Sequence, residues 1–239
     1  MGRGSMGKGL FITGTDTGVG KTFVAGLLAN LFRARGIDVG VMKPVETGCP
    51  RQDGRLEPRD ALTLKERAGT TDRLDEICPY ALEMPVAPSV AAEAAGVAID
   101  LDRITGWFQD LAARHQLTLV EGAGGLLVPL TDTADTTHLI RKLRIPVLVV
   151  TRTSLGTINH TLLTCYWARQ KRLSILGVVL NSPTGPPDPA EEANLKALAA
   201  RLPTPLLGRV PYFPEASYDL SRVRASLDVD RLLALLGHP

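Results

Sequence analysis

The chain has 239 residues, of which 44% are hydrophobic and 22% are charged, and this is enough for one substantial hydrophobic core. Its formal net charge is only +2 and its basic residues are spread along the chain, so we expect no nucleic-acid partner. The sequence predicts one domain over residues 6–239. Residues 1–5 precede a second methionine, Met6, and are typical of a cloning remnant.

The cysteines and the hydropathy pattern indicate the compartment. Cys49, Cys78 and Cys165 are isolated from one another and lack the spacing of a metal site. No apolar stretch approaches the roughly 20 residues that cross a bilayer, and the start of the chain lacks the apolar core of a signal peptide. We therefore expect a cytoplasmic protein without a membrane partner.

Six apolar segments rich in β-branched residues are separated by stretches of helical periodicity. The segments are residues 9–14, 38–43, 117–121, 146–151, 175–181 and 206–211. This alternation predicts an α/β fold of the P-loop NTPase type, with a mostly parallel central sheet and helices on both faces.

The connecting stretches carry weaker signals. Residues 46–58, rich in glycine, proline and alternating charges, are predicted to form an exposed loop without regular structure. The helix after the fourth segment is predicted to be capped by Asn159, with an inner face of apolar residues. That face consists of Leu162, Leu163, Tyr166 and Trp167.

The strongest motif is Gly-Thr-Asp-Thr-Gly-Val-Gly-Lys-Thr at residues 14–22, between the first predicted strand and the first predicted helix. Backbone N–H groups of such a loop, here those of Gly18, Val19 and Gly20, surround phosphate oxygens, and the helix start adds a positive dipole end. Lys21 is placed to neutralise the β- and γ-phosphates, and the Thr22 hydroxyl to bind Mg²⁺. The motif therefore predicts ATP and Mg²⁺, although a glycine-rich turn without a ligand stays possible.

Two further segment ends carry charges at the ligand-binding edge of a parallel sheet. Glu121 precedes Gly122-Ala123-Gly124, whose small residues let the backbone approach a phosphate, and Glu121 itself is suited to Mg²⁺. The alternative is an ordinary strand-end turn with Glu121 in solvent.

Lys43 ends the second segment, where it either binds an anionic group of a ligand or is an ordinary solvated charge. Thr47 follows in the same edge loop and can donate its hydroxyl to a substrate. Asp60 opens an apolar helical stretch and is either a functional acid or a helix cap.

Five blocks of the sequence resemble the dethiobiotin synthetase family: GTDTGVGKT at 14–22, MKPVETG at 42–48, RDAL at 59–62, VEGAGGLLVPL at 120–130 and SLGTINHTLLT at 154–164. The resemblance implies a reaction in which 7,8-diaminononanoate takes up CO₂ as a carbamate. ATP then phosphorylates the carbamate to a carbamic-phosphoric mixed anhydride, and the neighbouring amine displaces phosphate to close the cyclic urea of dethiobiotin.

The resemblance also implies roles for single residues. Lys21, Lys43 and Thr17 would be catalytic, and Thr17 and Thr47 would orient the carbamate. The Mg²⁺ ligands would be Thr22, Asp60 and Glu121. Beyond the P-loop and these acids, the nucleotide would be contacted by Gly122, Ala123 and Gly124, and its adenine base by Asn181, Ser182, Pro211, Tyr212 and Phe213.

A homodimer is also implied, with the substrate carboxylate bound at the interface by Gly156, Thr157 and Asn159. Gly18 and Ser182 depart from some relatives that carry acids there, which leaves the nucleotide preference open.

Three alternative protein classes fit the residues less well. Asp16 stands where ATPases that partition DNA or position division sites carry an extra lysine, which disfavours a switch ATPase. An amide synthetase of the cobyrinate diamide type needs an additional glutaminase domain, for which one core leaves no room. A nucleotide kinase would need an arginine-rich lid, and no such segment is evident.

Overall fold

A computed structural model of the chain describes residues 9–182, 185, 189–213 and 219–237. The strands in these ranges are β1 (Gly9–Gly14), β2 (Val39–Met42), β3 (Val45–Thr47), β4 (Arg51–Gln52), β5 (Arg55–Leu56), β6 (Tyr80–Leu82), β7 (Leu117–Glu121), β8 (Val147–Arg152), β9 (Ile175–Asn181) and β10 (Leu206–Val210). The helices are α1 (Lys21–Arg33), α2 (Arg59–Ala68), α3 (Leu74–Ile77), α4 (Pro88–Ala94), α5 (Leu101–Arg114), α6 (Thr136–Leu143), α7 (Thr157–Gln170), α8 (Pro189–Ala199), α9 (Leu220–Ser226) and α10 (Val229–Leu236).

The central sheet has the order β10-β9-β8-β1-β7-β2, and every pair of neighbours in it is parallel. Each of the six predicted segments forms one of these strands, with ends that agree to within one residue. The predicted fold class is therefore confirmed. None of the described helices is long and apolar enough to cross a membrane.

Strand β1 shows why helices cover both faces of the sheet. Successive side chains of a strand point to opposite faces. Leu10 and Ile12 accordingly lie in one buried cluster with residues of α1 and α2, whereas Phe11 lies in a second cluster with residues of α5 and α6. A parallel sheet buried in this way has continuous apolar strands, and this is why the segments were evident in the sequence.

The strand order also fixes where a ligand can bind. From β1 the chain runs to β2 and β7 on one side of the sheet, and then to β8, β9 and β10 on the other. Ligands of open α/β sheets bind at the carboxyl ends of the strands, where the order reverses in this way. Residues 14–22, Lys43 and Glu121 all lie at that edge.

The prediction of a structureless loop over residues 46–58 is wrong. Val45–Thr47 forms a short strand paired with β6, and β4 and β5 form an antiparallel hairpin. Its two turn residues, Asp53 and Gly54, have φ angles of 51° and 78°, the left-handed geometry that a two-residue hairpin turn requires. Asp-Gly is a strong signal for this turn, and the surrounding charges obscured it.

The predicted start of α7 is wrong, and its predicted inner face is only partly right, because Leu162 and Trp167 pack against buried clusters whereas Leu163 and Tyr166 do not. Gly156, with φ of 93°, occupies the N-cap position, and Asn159 lies inside the helix. The buried face consists of Thr157, Thr161, Cys165 and Ala168. Leu163 and Tyr166 point outward and are 60% and 54% exposed.

The connection after α2 is held by Asp72. Its carboxylate accepts hydrogen bonds from the Thr70 hydroxyl at 2.6 Å and the His115 ring at 2.7 Å, and it pairs with Arg114 at 3.0 Å. Burial opposes ionisation of Asp72, but these partners outweigh it and lower the pKa of the carboxyl. These contacts tie the segment that follows α2 to the C-terminal end of α5.

Candidate active site

The loop between β1 and α1 has the backbone geometry of a phosphate cradle. Gly18 and Gly20 have φ angles of 74° and 87°. Gly20 occupies the N-cap position of α1, where no side chain caps the helix, so the first amides of α1 are available to an anion. A Cβ atom on Gly20 would lie 2.1 Å from the side-chain Nδ2 of Asn181, so a larger residue would displace that side chain and hold a strained positive φ.

A cavity of about 680 Å³ opens beside this loop. Many of the predicted site residues line it: Thr17, Gly18, Gly20, Lys21, Thr22, Lys43, Thr47, Asp60, Glu121, Ala123 and Gly124. These residues come from the P-loop, from the carboxyl ends of β2 and β7, and from the start of α2. The parallel sheet therefore brings together segments that are more than 100 residues apart in the chain.

Lys43 lies at the centre of the charged groups in this cavity. Its ammonium donates to Asp60 Oδ2 at 2.6 Å and to Glu121 Oε1 at 2.5 Å. Thr22 donates its hydroxyl to the same Glu121 oxygen at 2.9 Å. Only 4% of the Lys43 side chain and 1% of the Glu121 side chain are exposed, so neither residue is a solvated strand-end charge.

The charge states of these groups follow from their neighbours. Burial alone would lower the pKa of Lys43, but Glu121 and Asp60 outweigh it and raise that pKa above its usual range. Burial likewise opposes ionisation of Asp60, yet the nearby Lys43 ammonium lowers the pKa of the carboxyl. For Lys21, burial and then the positive charge of Lys43 lower the pKa. At neutral pH Lys43 is therefore an ammonium group, and it lies between Asp60 and Glu121.

The oxygen atoms around Lys43 fit a hard divalent cation. Glu121 Oε2 is buried and has no hydrogen-bond partner among the described residues, although a buried carboxylate oxygen is normally satisfied. No group of three His, Cys, Asp or Glu residues suited to a metal occurs in the described part of the chain. Mg²⁺ does not need one, since it is bound by one or two carboxylates together with substrate phosphates and water. Thr22, Asp60 and Glu121 provide such a donor set.

The residues predicted to contact adenine lie on the far side of the P-loop. Asn181, at the end of β9, donates its side-chain amide to the Val19 carbonyl at 2.9 Å, so it supports the loop itself. Ser182 is buried and its hydroxyl has no hydrogen-bond partner among the described residues. Residues 211–213 are half-buried, and the Phe213 ring contacts Phe23 of α1 edge-on at 6.1 Å.

Several predicted residues do not line the cavity. Val19 belongs to the P-loop, but its side chain is buried in the core. The Gly122 amide donates to the Ile12 carbonyl at 3.0 Å. Gly156, Thr157 and Asn159, predicted to bind the substrate, begin α7 and stand apart from the cavity of the same chain. The Thr157 hydroxyl is buried and hydrogen-bonds to Thr151 at 3.0 Å.

Sequence reasoning missed two parts of the cavity. One is Glu46, a buried acid whose carboxylate faces the start of α2. The other is a wall of small apolar residues: Pro85, Val86, Ala87, Pro88, Val128 and Pro129. The prolines at 85 and 88 were a sequence signal for a loop of fixed conformation. No pattern near Glu46 in the sequence indicated that it is buried.

The sheet order and the Gly-Lys-Thr loop define a P-loop nucleotide-binding protein. Consistent with this class, a family model described as an AAA domain matches residues 8–218. The chain belongs to the family of ATP-dependent dethiobiotin synthetases, as its sequence predicted. It is 40% identical to the ATP-dependent dethiobiotin synthetase BioD of Thermodesulfovibrio yellowstonii over 96% of this chain and 100% of the relative. It is 44% identical to the protein of the same name from Anaeromyxobacter dehalogenans over 92% of this chain and 98% of the relative.

Solved structures support the fold alone. A chain of the MinC:MinD cell division protein complex from Aquifex aeolicus is similar with a TM-score of 0.57 and 13% identity, over 97% of this chain and 96% of that one. The signal recognition particle receptor FtsY from Elizabethkingia anophelis, in complex with GDP, gives a TM-score of 0.53 and 14% identity. That match covers 89% of this chain and 60% of the receptor chain.

Proposed function

We propose that this chain uses ATP and Mg²⁺ to form dethiobiotin from 7,8-diaminononanoate and CO₂. One observation carries the proposal: Lys21 and Lys43 line the same cavity as the P-loop, and Lys43 lies between two carboxylates suited to Mg²⁺. A phosphorylated carbamate needs concentrated positive charge beside the terminal phosphate, and Lys21 and Lys43 would supply it.

The chain's own residues would act on the substrate in two steps. Lys21 and Lys43 would hold the carbamate beside the γ-phosphate, with the hydroxyls of Thr17 and Thr47 orienting it. In the first step a carbamate oxygen bonds to the γ-phosphorus and the bond to ADP breaks. In the second step the free amine bonds to the carbamate carbon, phosphate leaves, and the amine loses a proton. When bound to Thr22, Asp60 and Glu121, Mg²⁺ would supply positive charge against the phosphate oxygens.

The apolar wall of the cavity supports an alkyl substrate. Pro85, Val86 and Pro88 follow β6, and Val128 and Pro129 follow β7. Methylene groups of a diamino fatty acid would contact these side chains, while its amines face Lys43 and Thr47. On the other side of the P-loop, Asn181, Ser182 and residues 211–213 would contact the adenine.

A homodimer is the proposed assembly. Leu155 is 86% exposed next to the N-terminus of α7, and Leu163 and Tyr166 are exposed along the same helix. Apolar side chains grouped on one helix favour burial against another surface. In a second copy, Gly156, Thr157 and Asn159 would then face the cavity of the first and bind the substrate carboxylate at the helix N-terminus. We place this protein in the cytoplasm, with residues 6–239 as one domain.

A product assay tests the proposal. The protein is incubated with 7,8-diaminononanoate, bicarbonate, Mg²⁺ and ATP, and the cyclic urea is measured by mass spectrometry together with ADP and phosphate. We expect product only with all four components. ATP turnover without the diamine would favour a switch ATPase, and a requirement for glutamine would favour an amide synthetase; either outcome refutes the proposal.

A pair of lysine variants locates the activity in the cavity. Lys43→Ala is expected to abolish product formation while nucleotide binding is retained, because the P-loop itself is unchanged. Lys142→Ala is the control, since Lys142 pairs with Asp102 at 2.5 Å on the surface and does not line the cavity. Full activity of Lys43→Ala would remove Lys43 from the mechanism.

A further inference from the structure

We propose that Glu46 is a positioning residue that holds Asp60 in place by capping helix α2 from a neighbouring strand. The inference rests on the proposed function, because it concerns the site where Asp60 would bind Mg²⁺. Glu46 would touch neither the metal nor the substrate, and would act through the backbone of α2.

The N-terminus of α2 is capped by a side chain from outside the helix. The N-cap residue of α2 is Pro58, which has no side-chain acceptor, and no side chain at that position caps the helix. Glu46 Oε1 accepts the Asp60 amide at 2.9 Å, and Glu46 Oε2 accepts the Ala61 amide at 3.0 Å. These are the amides of the second and third helical residues, which an N-cap side chain normally satisfies.

Both oxygens of Glu46 are engaged, so the orientation of the first turn of α2 is fixed by two bonds. Glu46 is 6% exposed, and a buried carboxylate needs such compensation. The amides are charge-assisted donors to it, and the helix N-terminus adds its positive dipole end. Without Glu46, two buried or half-buried amides of α2 would lose their partners and the first turn could shift.

The position of Glu46 in the chain connects it to the cation-binding groups. Glu46 lies in β3 next to Thr47, and β3 follows Lys43 after two residues. The segment from Lys43 to Thr47, which includes β3, is thus joined to helix α2, which carries Asp60, by two contacts. One is the Lys43 to Asp60 ion pair at 2.6 Å, and the other is the Glu46 cap.

A positioning role predicts a specific loss. Removing a group that orients a metal ligand typically weakens metal binding by about 10- to 100-fold. We therefore expect Glu46→Ala to raise the Mn²⁺ dissociation constant, measured by electron paramagnetic resonance in the presence of ATP, by roughly 10- to 100-fold. The Mg²⁺ concentration for half-maximal ATP turnover should rise similarly, while kcat at saturating Mg²⁺ is largely retained.

Asp100 offers a matched control. It caps α5 through the amides of Asp102 at 2.8 Å and Arg103 at 3.2 Å, on a helix that does not line the cavity. Asp100→Ala removes a comparable cap, so it should leave the Mn²⁺ dissociation constant unchanged. An equal weakening of Mn²⁺ binding in this variant would show a general effect of helix stability and overturn the proposal.

A rescue variant separates capping from charge. Pro58→Ser in the Glu46→Ala background places a hydroxyl at the N-cap position of α2, whose backbone is already extended with φ of −77° and ψ of 93°. We expect Mn²⁺ affinity to recover in this double variant. Failure to recover, or wild-type affinity in Glu46→Ala alone, would overturn the proposal.

A second variant and the product assay distinguish the remaining outcomes. If Glu46→Ala does not fold by circular dichroism, Glu46→Gln retains one carbonyl acceptor and should give an intermediate Mn²⁺ affinity; wild-type affinity in it would overturn the proposal. Mn²⁺ binding does not depend on product formation. Wild-type protein that makes no cyclic urea would refute the proposed function, whereas an active wild type with an unshifted Glu46→Ala would refute only the role of Glu46.

Discussion

The substitution Lys43→Met tests how much the ion pairs at the centre of the cavity contribute to the stability of the fold. The substitution keeps a long apolar side chain and removes the ammonium. Glu121, which is 1% exposed, would then have the Thr22 hydroxyl as its remaining side-chain partner among the described residues. Removing one member of a buried ion pair leaves an uncompensated charge and costs about 3–5 kcal/mol.

This cost converts into a measurable melting temperature. For a chain of this size, 1 kcal/mol corresponds to about 2–4 °C, so we expect Lys43→Met to melt roughly 6–20 °C lower than the wild type. The measurement is differential scanning calorimetry at neutral pH with a chelator, without nucleotide. Lys43→Met combined with Glu121→Gln should melt higher than Lys43→Met alone, because the stranded charge is gone.

The control and the refuting result are both defined by the structure. Lys142→Met removes an ammonium from an exposed pair with Asp102, and such pairs contribute little, so its melting temperature should stay near that of the wild type. A Lys43→Met protein that melts within about 2 °C of the wild type would refute the reasoning, because less than about 1 kcal/mol would then be lost.

The remaining predictions concern the P-loop and acid stability. Gly20→Ala should abolish ATP binding in a titration calorimetry experiment, because its Cβ would clash with Asn181; Gly36→Ala, which has a similar φ of 79° but open space around it, should bind ATP normally. Equal ATP affinity in both glycine variants would contradict the close approach. The pKa of Asp72 is lowered in the folded chain, so its contribution to the free energy of unfolding is present above the unfolded pKa and is lost as the pH falls through the folded pKa. In urea titrations from about pH 5 downwards, Asp72→Asn should therefore show a shallower pH dependence of stability than the wild type, and an unchanged slope would refute this.

The sheet and the P-loop were predictable because their signals are local and strong. Strands buried on both faces read as continuous apolar runs, and residues 14–22 combine a motif with its expected strand and helix. The convergence of Lys43 and Glu121 also followed from the sequence, since carboxyl ends of parallel strands share one edge. What each residue contacts did not follow, because Lys43 at a strand end has the same local pattern whether solvated or buried.

Glu46 and α7 show two different limits of sequence reasoning. Glu46 accepts from an amide 14 residues away, and capping rules examine only the residues next to a helix start. In α7, Leu163 and Tyr166 do lie on one face of the helix. A sequence pattern shows that a face is apolar, but it does not show whether the core or another surface covers that face. The fully buried face of this helix is instead made by Thr157, Thr161, Cys165 and Ala168, and the Thr161 hydroxyl donates to Thr151 of β8 at 2.9 Å.

Under the proposed function, the charges of the cavity favour a divalent cation beside the triphosphate. The ionisable residues that line it are two lysines and three acids: Lys21, Lys43, Glu46, Asp60 and Glu121. Their formal sum is negative, and a triphosphate would add further negative charge, which a cation bound with it would offset. Asp60 and Glu121, to which Lys43 now donates, would hold Mg²⁺ together with Thr22, and the ion would supply positive charge at their oxygens. Lys43 would face the carbamate from the same centre, and Glu46 would keep Asp60 in place through helix α2.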